Sequence, residues 1–134
     1  MDAIPAEFHD LFECEALAHF ATVMPDGTPQ VTPVWIGLDD EGYPLVNTAE
    51  GRQKERNVGR DPSVGLSITD PENPYRYLSV RGTVAEVTTE GAVDHIDQLA
   101  SRYMGVETYP YHDDEEGARV IIRIRPDRVV ADSG

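Results

Sequence analysis

The side chains with the most chemical capacity in this chain are cationic and close together. Arg52, Lys54, Arg56 and Arg60 place four of the eleven Lys+Arg residues within nine positions, and Lys54 is the only lysine. Around them the chain carries 25 Asp+Glu and a formal net charge of −14. A basic cluster in so acidic a chain is expected to face an anion. Arginine forks and a lysine point charge are the usual side-chain means of holding a phosphate. The competing reading is a solvated helix face, on which a Glu50–Lys54 pair at i,i+4 adds about 0.2–0.5 kcal/mol.

The cluster needs an element to present it. The stretch YPLVNT reads as a strand, and the residues after it read as a helix. Asn47 or Thr48 is the expected cap, with Glu50 completing a capping box, and Gly59 with Asp61-Pro62 marks the exit. Free backbone N–H groups and the positive dipole end are then expected near Thr48 to Arg52, beside the cationic side chains.

The remaining elements follow from periodicity. Residues 4–17 place Ile4, Phe8, Leu11, Phe12 and Leu17 at helical spacing, predicting an N-terminal helix that includes Cys14 as a structural thiol. His9 and His19 are expected to pack without a metal. AHFATVM, PDGTP and QVTPVWIGL form a strand–turn–strand signature. Pro33 inside the second run predicts an edge or an opened ladder, and Trp35 beside it offers a face to a flat ring. SVGLSITD and RYLSVRGTVAEVTT predict two more strands, the second with a bulge at Gly82. GAVDHIDQLASRYMG predicts a helix with Val93, Ile96, Leu99, Ala100 and Tyr103 inward and a stop at Gly105. His112, Asp113, Asp114, Glu115 and Glu116 match no metal-loop spacing and read as a solvated charge run. ARVIIRIRP and DRVVADSG predict two final strands. Hairpins dominate and no βαβ repeat occurs, so the expected class is mainly β with α, an antiparallel split barrel with covering helices, formed by residues 1–134 as one domain.

Bulk properties bound the function. A chain of 134 residues can bury one core. No run is apolar enough to span a bilayer, no signal peptide is read at MDAIPAEFHD, and a lone Cys14 excludes an internal disulfide, so a cytoplasmic location is expected. A pI near 4.4 argues against nucleic acid as a partner. Abundant carboxylates with almost no lysine resemble the acidic surfaces of salt-adapted proteins.

Nearly the whole chain, and GRQKERNVGRDP most specifically, resembles the pyridoxamine 5′-phosphate oxidase-like split-barrel flavoproteins. It is most similar to the small branch that uses the deazaflavin coenzyme F420 in place of FMN. The resemblance implies a homodimer with cofactor sites between subunits and a small-molecule substrate. It implies that Arg52 and Lys54 hold the cofactor phosphate and that Thr32, Pro33 and Val34 lie along the ring. Asn47, Thr48 and Ala49 would meet the ring edge and ribityl chain, and Asn57 would stand near the phosphate. Tyr75, Arg76 and Arg81 would approach from the partner subunit. Arg56 and Arg60 would meet the acidic tail of F420, which FMN lacks. The implied activity is hydride transfer by an F420-dependent oxidoreductase; an FMN enzyme and a flavin or haem carrier without turnover are the alternatives. No catalytic side chain is implied. The sequence closes at DRVVADSG without the extension that carries substrate-phosphate contacts in full pyridoxamine phosphate oxidases, so that activity is not expected.

Overall fold

Alternating apolar and polar residues build a single sheet whose two edges are joined by one residue. In the computed structural model, residues 1–112 and 117–134 are described. The strands are β1 (Ala18–Val23), β2 (Pro29–Val34), β3 (Ile36–Leu38), β4 (Pro44–Ala49), β5 (Ser63–Asp70), β6 (Asn73–Thr88) and β7 (Arg119–Asp132). Their spatial order is β2-β1-β5-β6-β7-β4-β3, and every pairing is antiparallel. β2 and β3 lie at opposite edges of that order, yet only Trp35 separates them in the chain. The sheet must therefore curl until its edges meet at Trp35, which gives the split barrel expected from the hairpin pattern.

The inward faces close over a core that includes Phe20, Ile36, Val46, Leu66, Ile68, Leu78, Val80, Ile122 and Ile124. Pro33 sits in the edge strand, where its missing N–H costs no ladder bond. The bulge at Gly82 is present as a register shift against β7, and a Cβ there would lie 2.6 Å from the Arg125 carbonyl oxygen. A second shift between Val84 and Glu86 sets Val87 opposite Ile122, and Val87 is nevertheless 40% exposed near the end of the strand.

Among the described residues, α1 (Gln53–Arg60), α2 (Ala92–Met104) and 3-10 turns over Ala6–Phe12 pack on the sheet. The long N-terminal helix expected over 4–17 is this shorter 3-10 segment, which buries Phe8, Leu11 and Phe12. Pro5 opens it, Leu17 is exposed, and Cys14 follows its end. His9 does pack, against the Ile4 carbonyl, whereas His19 is exposed on the outer face. The two final strands are one continuous β7. α2 stops at Gly105 in the left-handed conformation that glycine favours (φ 71°). Val93 points to solvent, because Ile96, Leu99 and Ala100 suffice for the narrow contact with β4 and β7.

Candidate functional site

The cation cluster is built later in the chain than the capping pattern predicts. Asn47, Thr48 and Ala49 remain in β4, paired with Ile121, Val120 and Arg119 of β7, so the ladder takes the residues that could have capped a helix. Gly51 makes the turn with φ 90°, and Arg52 is the extended residue before α1. No side chain caps the helix there; the Glu55 carboxylate instead reaches back and accepts from the Gly51 N–H at 2.8 Å. Lys54 lies in the first turn and points into a cavity of about 420 Å³.

This cavity opens at the barrel seam. Pro33, Val34 and Trp35 line it from the seam itself, Asn47 and Thr48 from β4, Arg52 and Lys54 from the turn and α1, and Ile96 and Met104 from α2. Tyr109, Tyr111 and Arg119 close the remaining side. Trp35 is no core residue. It is half-buried, stacked on Tyr103 with ring centroids 5.2 Å apart, and met edge-on by Tyr109. Tyr103 is locked in turn: its hydroxyl donates to the Ala16 carbonyl and accepts from the Ile36 N–H.

The opposite side of the cavity is polar and electrically tense. Burial, then the charges of Arg52 and Arg119, push the Lys54 ammonium below the usual lysine range. Lys54 has no hydrogen-bond or ion-pair partner among the described residues. Thr48 is buried at 1% exposure, and its Oγ1 likewise lacks a partner among them. A buried hydroxyl without a bond costs roughly 1–3 kcal/mol, so such groups generally mark a ligand or a bound water.

Behind this wall lies a network that the sequence did not announce. Arg119, buried at the start of β7, donates from Nε to Asn47 Oδ1 at 2.9 Å, and its guanidinium lies 5.1 Å from the Tyr109 ring centre. Asn47 Nδ2 donates to the Ala92 carbonyl at 2.9 Å and to His95 Nδ1 at 3.0 Å. Burial, then the charges of Arg102 and Arg119, push His95 down to about 4, so the ring is neutral. Neither Arg119 nor His95 stands in a motif. The one sequence signal was Arg119 flanking a strongly apolar strand.

The family is legible once these positions are set. The family model described as pyridoxamine 5′-phosphate oxidase matches residues 4–131. The chain belongs to this family. Among solved structures, an F420 reductase is 39% identical with a TM-score of 0.81, over 95% of this chain and 98% of that one. A conserved hypothetical protein from Mycobacterium tuberculosis is 27% identical, with a TM-score of 0.77 over 99% of this chain and 86% of that one. HupZ of Group A Streptococcus shares the fold at 23% identity and a TM-score of 0.64, over 98% and 99% of the two chains.

Within this family fold, the residues singled out from sequence separate into two groups. Pro33, Val34, Asn47, Thr48, Arg52 and Lys54 meet at the cavity. Thr32, Ala49, Arg56 and Asn57 do not line it. Asn57 is fully buried; its amide donates to Thr22 Oγ1 at 2.9 Å and accepts from Gln53 at 2.8 Å, so it ties α1 to β1. Arg60 donates to the Val23 carbonyl and to Asn57, and Arg56 donates to Gln53 on the exposed side of α1. Arg76 is committed within its own chain to Asp10 and Asp70. Glu50 precedes the helix, which removes the i,i+4 pairing with Lys54. Asp113 to Glu116 lie outside the described residues. Among the described residues no helix is long and apolar enough to cross a membrane, and no group of His, Cys, Asp and Glu is arranged for a metal.

Proposed function

We propose that the protein is an oxidoreductase that binds coenzyme F420 in the seam cavity and, as a homodimer, reduces a small organic acceptor. One observation carries this reading: one cavity sets the Thr48 hydroxyl and Lys54 ammonium, both without a partner among the described residues, on one side and Trp35, backed by its stack on Tyr103, on the other. A planar ring bearing a phosphate suits both sides. The 39% identity to an F420 reductase over nearly the whole of both chains adds to it.

Arg52 and Lys54 would hold the phosphate, with binding restoring the charge balance that their mutual repulsion upsets. Thr48 would bond a polar atom of the ribityl chain or ring edge, and Pro33 and Val34 would line the ring. When bound, the cofactor supplies the hydride chemistry; the chain binds it, orients it and keeps water away. FMN is the second reading, and a specific observation favours it. Arg60 is bound to the Val23 carbonyl and Arg56 lies outside the cavity wall, so the two arginines that would meet the F420 tail are turned elsewhere.

The dimer reading rests on the outer face of the sheet. The register aligns Val31, Ala21, Gly65, Arg81 and Arg128 in one row, and Pro33, His19, Ser67, Ser79 and Val130 in the next. Ala21, Gly65, Ser67 and Ser79 on this face are small, Arg81 and Arg128 flank them, and Val31 and Val130 stand exposed at 57% and 56%. Such a face suits a second copy of the chain, which would bring Pro33 and the cavity mouth close to the interface.

Titration of the purified protein with F420 and with FMN, followed by absorbance, tests the reading. F420 is expected to bind the more tightly, and the reduced cofactor to be reoxidised by an added acceptor such as a quinone or nitroaromatic. Tighter FMN binding establishes the second reading; binding without turnover to any acceptor leaves a carrier; binding of neither cofactor defeats the proposal.

A further inference from the structure

The Asn47 side chain is almost spent inside the protein. Both of its amide hydrogens are used, one on the Ala92 carbonyl and one on His95 Nδ1, and its oxygen already accepts from Arg119 Nε. The amide can sit only one way round. Reversed, it would point its nitrogen at the Arg119 donor and its oxygen at the Ala92 acceptor. This orientation requires a lone pair on His95 Nδ1 and therefore a proton on Nε2.

His95 has little freedom to leave. Its Nε2 edge lies against Gly37 of β3, where a Cβ would stand 2.9 Å from that nitrogen. The ring thus fits between Gly37 and Asn47, on two paired strands, because position 37 has no side chain. The protonated ring would place N–H against N–H at Asn47. Burial and the charges of Arg102 on α2 and Arg119 on β7 hold it neutral.

We propose that His95, acting through Asn47, is the positioning residue that aims Arg119 into the cavity as an anion-binding group beside Arg52 and Lys54. Fixing Nε on Asn47 sets the plane of the Arg119 fork, and the Tyr109 ring supports it from one side. A fork so anchored loses little freedom when a phosphate or carboxylate arrives, which is the advantage of supporting a binding residue from behind. The inference rests on the reading of the cavity as the site of a phosphate-bearing ring cofactor. It assigns residues from α2 and β7 to that site, outside the stretch that carries the family resemblance most specifically.

Trp35 is the only tryptophan and lines the cavity, so its fluorescence reports binding without turnover. The test titrates wild type, Arg119→Gln, His95→Phe, His95→Gln and Gly37→Ala with F420 and FMN, with the same two ring systems lacking their phosphates, and with inorganic phosphate. Arg119→Gln and His95→Phe are expected to lose about tenfold in affinity for the phosphorylated forms and nothing for the phosphate-free ones, the scale of one charge-assisted contact. His95→Gln, which keeps an acceptor, should stay within about threefold of wild type, and Gly37→Ala, which displaces the ring, should resemble His95→Phe. Equal losses for phosphorylated and phosphate-free rings, or an unchanged His95→Phe, overturn the proposal. Nitrogen-15 spectra of the unmodified protein provide a check independent of variant folding: a neutral His95 carrying its proton on Nδ1 overturns it directly. If neither cofactor binds but inorganic phosphate still quenches Trp35 in an Arg119- and His95-dependent way, this inference stands and the cofactor reading falls.

Discussion

At the residue scale, groups that serve the fold and groups held in reserve for a ligand should respond differently to substitution. Asn57 and Lys54 are neighbours in one helical segment, yet Asn57 is fully buried with its amide in use and Lys54 faces the cavity without a partner among the described residues. Lys54→Ala should weaken F420 or FMN binding by roughly tenfold to a hundredfold, as expected for a charge-assisted phosphate contact. It should leave the melting temperature of the cofactor-free protein unchanged or slightly higher, since it removes a desolvated cation crowded by Arg52 and Arg119. Thr48→Val goes further. Removing a buried hydroxyl that has no partner among the described residues should stabilise the cofactor-free protein by about 1 kcal/mol, or about 3–4 °C in melting temperature. The same change should weaken cofactor binding, and a calorimetric melt beside a binding titration reads both signs.

At the scale of elements, bulges and ring contacts decide how strands and helices meet. Gly82 lets β6 shift register against β7 under the Arg125 carbonyl. Gly82→Ala should cost about 1–3 kcal/mol, the range for overpacking, and urea unfolding measures it. α2 brings His95 against β3 and β4, and this contact has a pH signature. The folded value of about 4 lies below the ordinary 6.5, so between those two pH values the unfolded chain takes up a proton that the folded chain refuses. Stability should therefore fall as pH falls from 6.5 to 4, by on the order of 2–3 kcal/mol from this residue. His95→Gln should flatten that part of the profile relative to wild type. Parallel profiles for the two proteins would show that His95 titrates normally in the fold.

At the scale of the whole molecule, charge governs assembly. A chain with a formal charge of −14 repels its own copy, and in the proposed dimer the outer face with Val31 and Val130 would have to overcome that repulsion. Salt at roughly 1 M shortens the screening length to about 3 Å, so the dimer fraction in sedimentation should rise with added salt. Val31→Asp should leave a folded monomer at the same salt concentration. A wild-type protein that stays monomeric at all salt concentrations while binding cofactor would remove the interface reading.

Much of this molecule was written locally. Alternation in β1, β5 and β6, the stop at Gly105 and the bulge at Gly82 depend on neighbours a few residues apart, and each was legible in the chain. So was the closeness of Arg52 and Lys54, which line one cavity, because a turn and a first helical turn set their separation. The errors have a common physical origin. Asn47 and Thr48 are good caps by type, but β7 arrives from more than seventy residues away and claims them for its ladder. Tertiary structure alone decided that β2 and β3 lie at opposite edges and close at Trp35, which makes the cavity. It alone buried Asn57, turned Arg60 onto Val23 and set His95 behind Asn47 and Arg119. Periodicity reports which face of an element is apolar; which distant polar group that face will meet is settled only when the sheet curls.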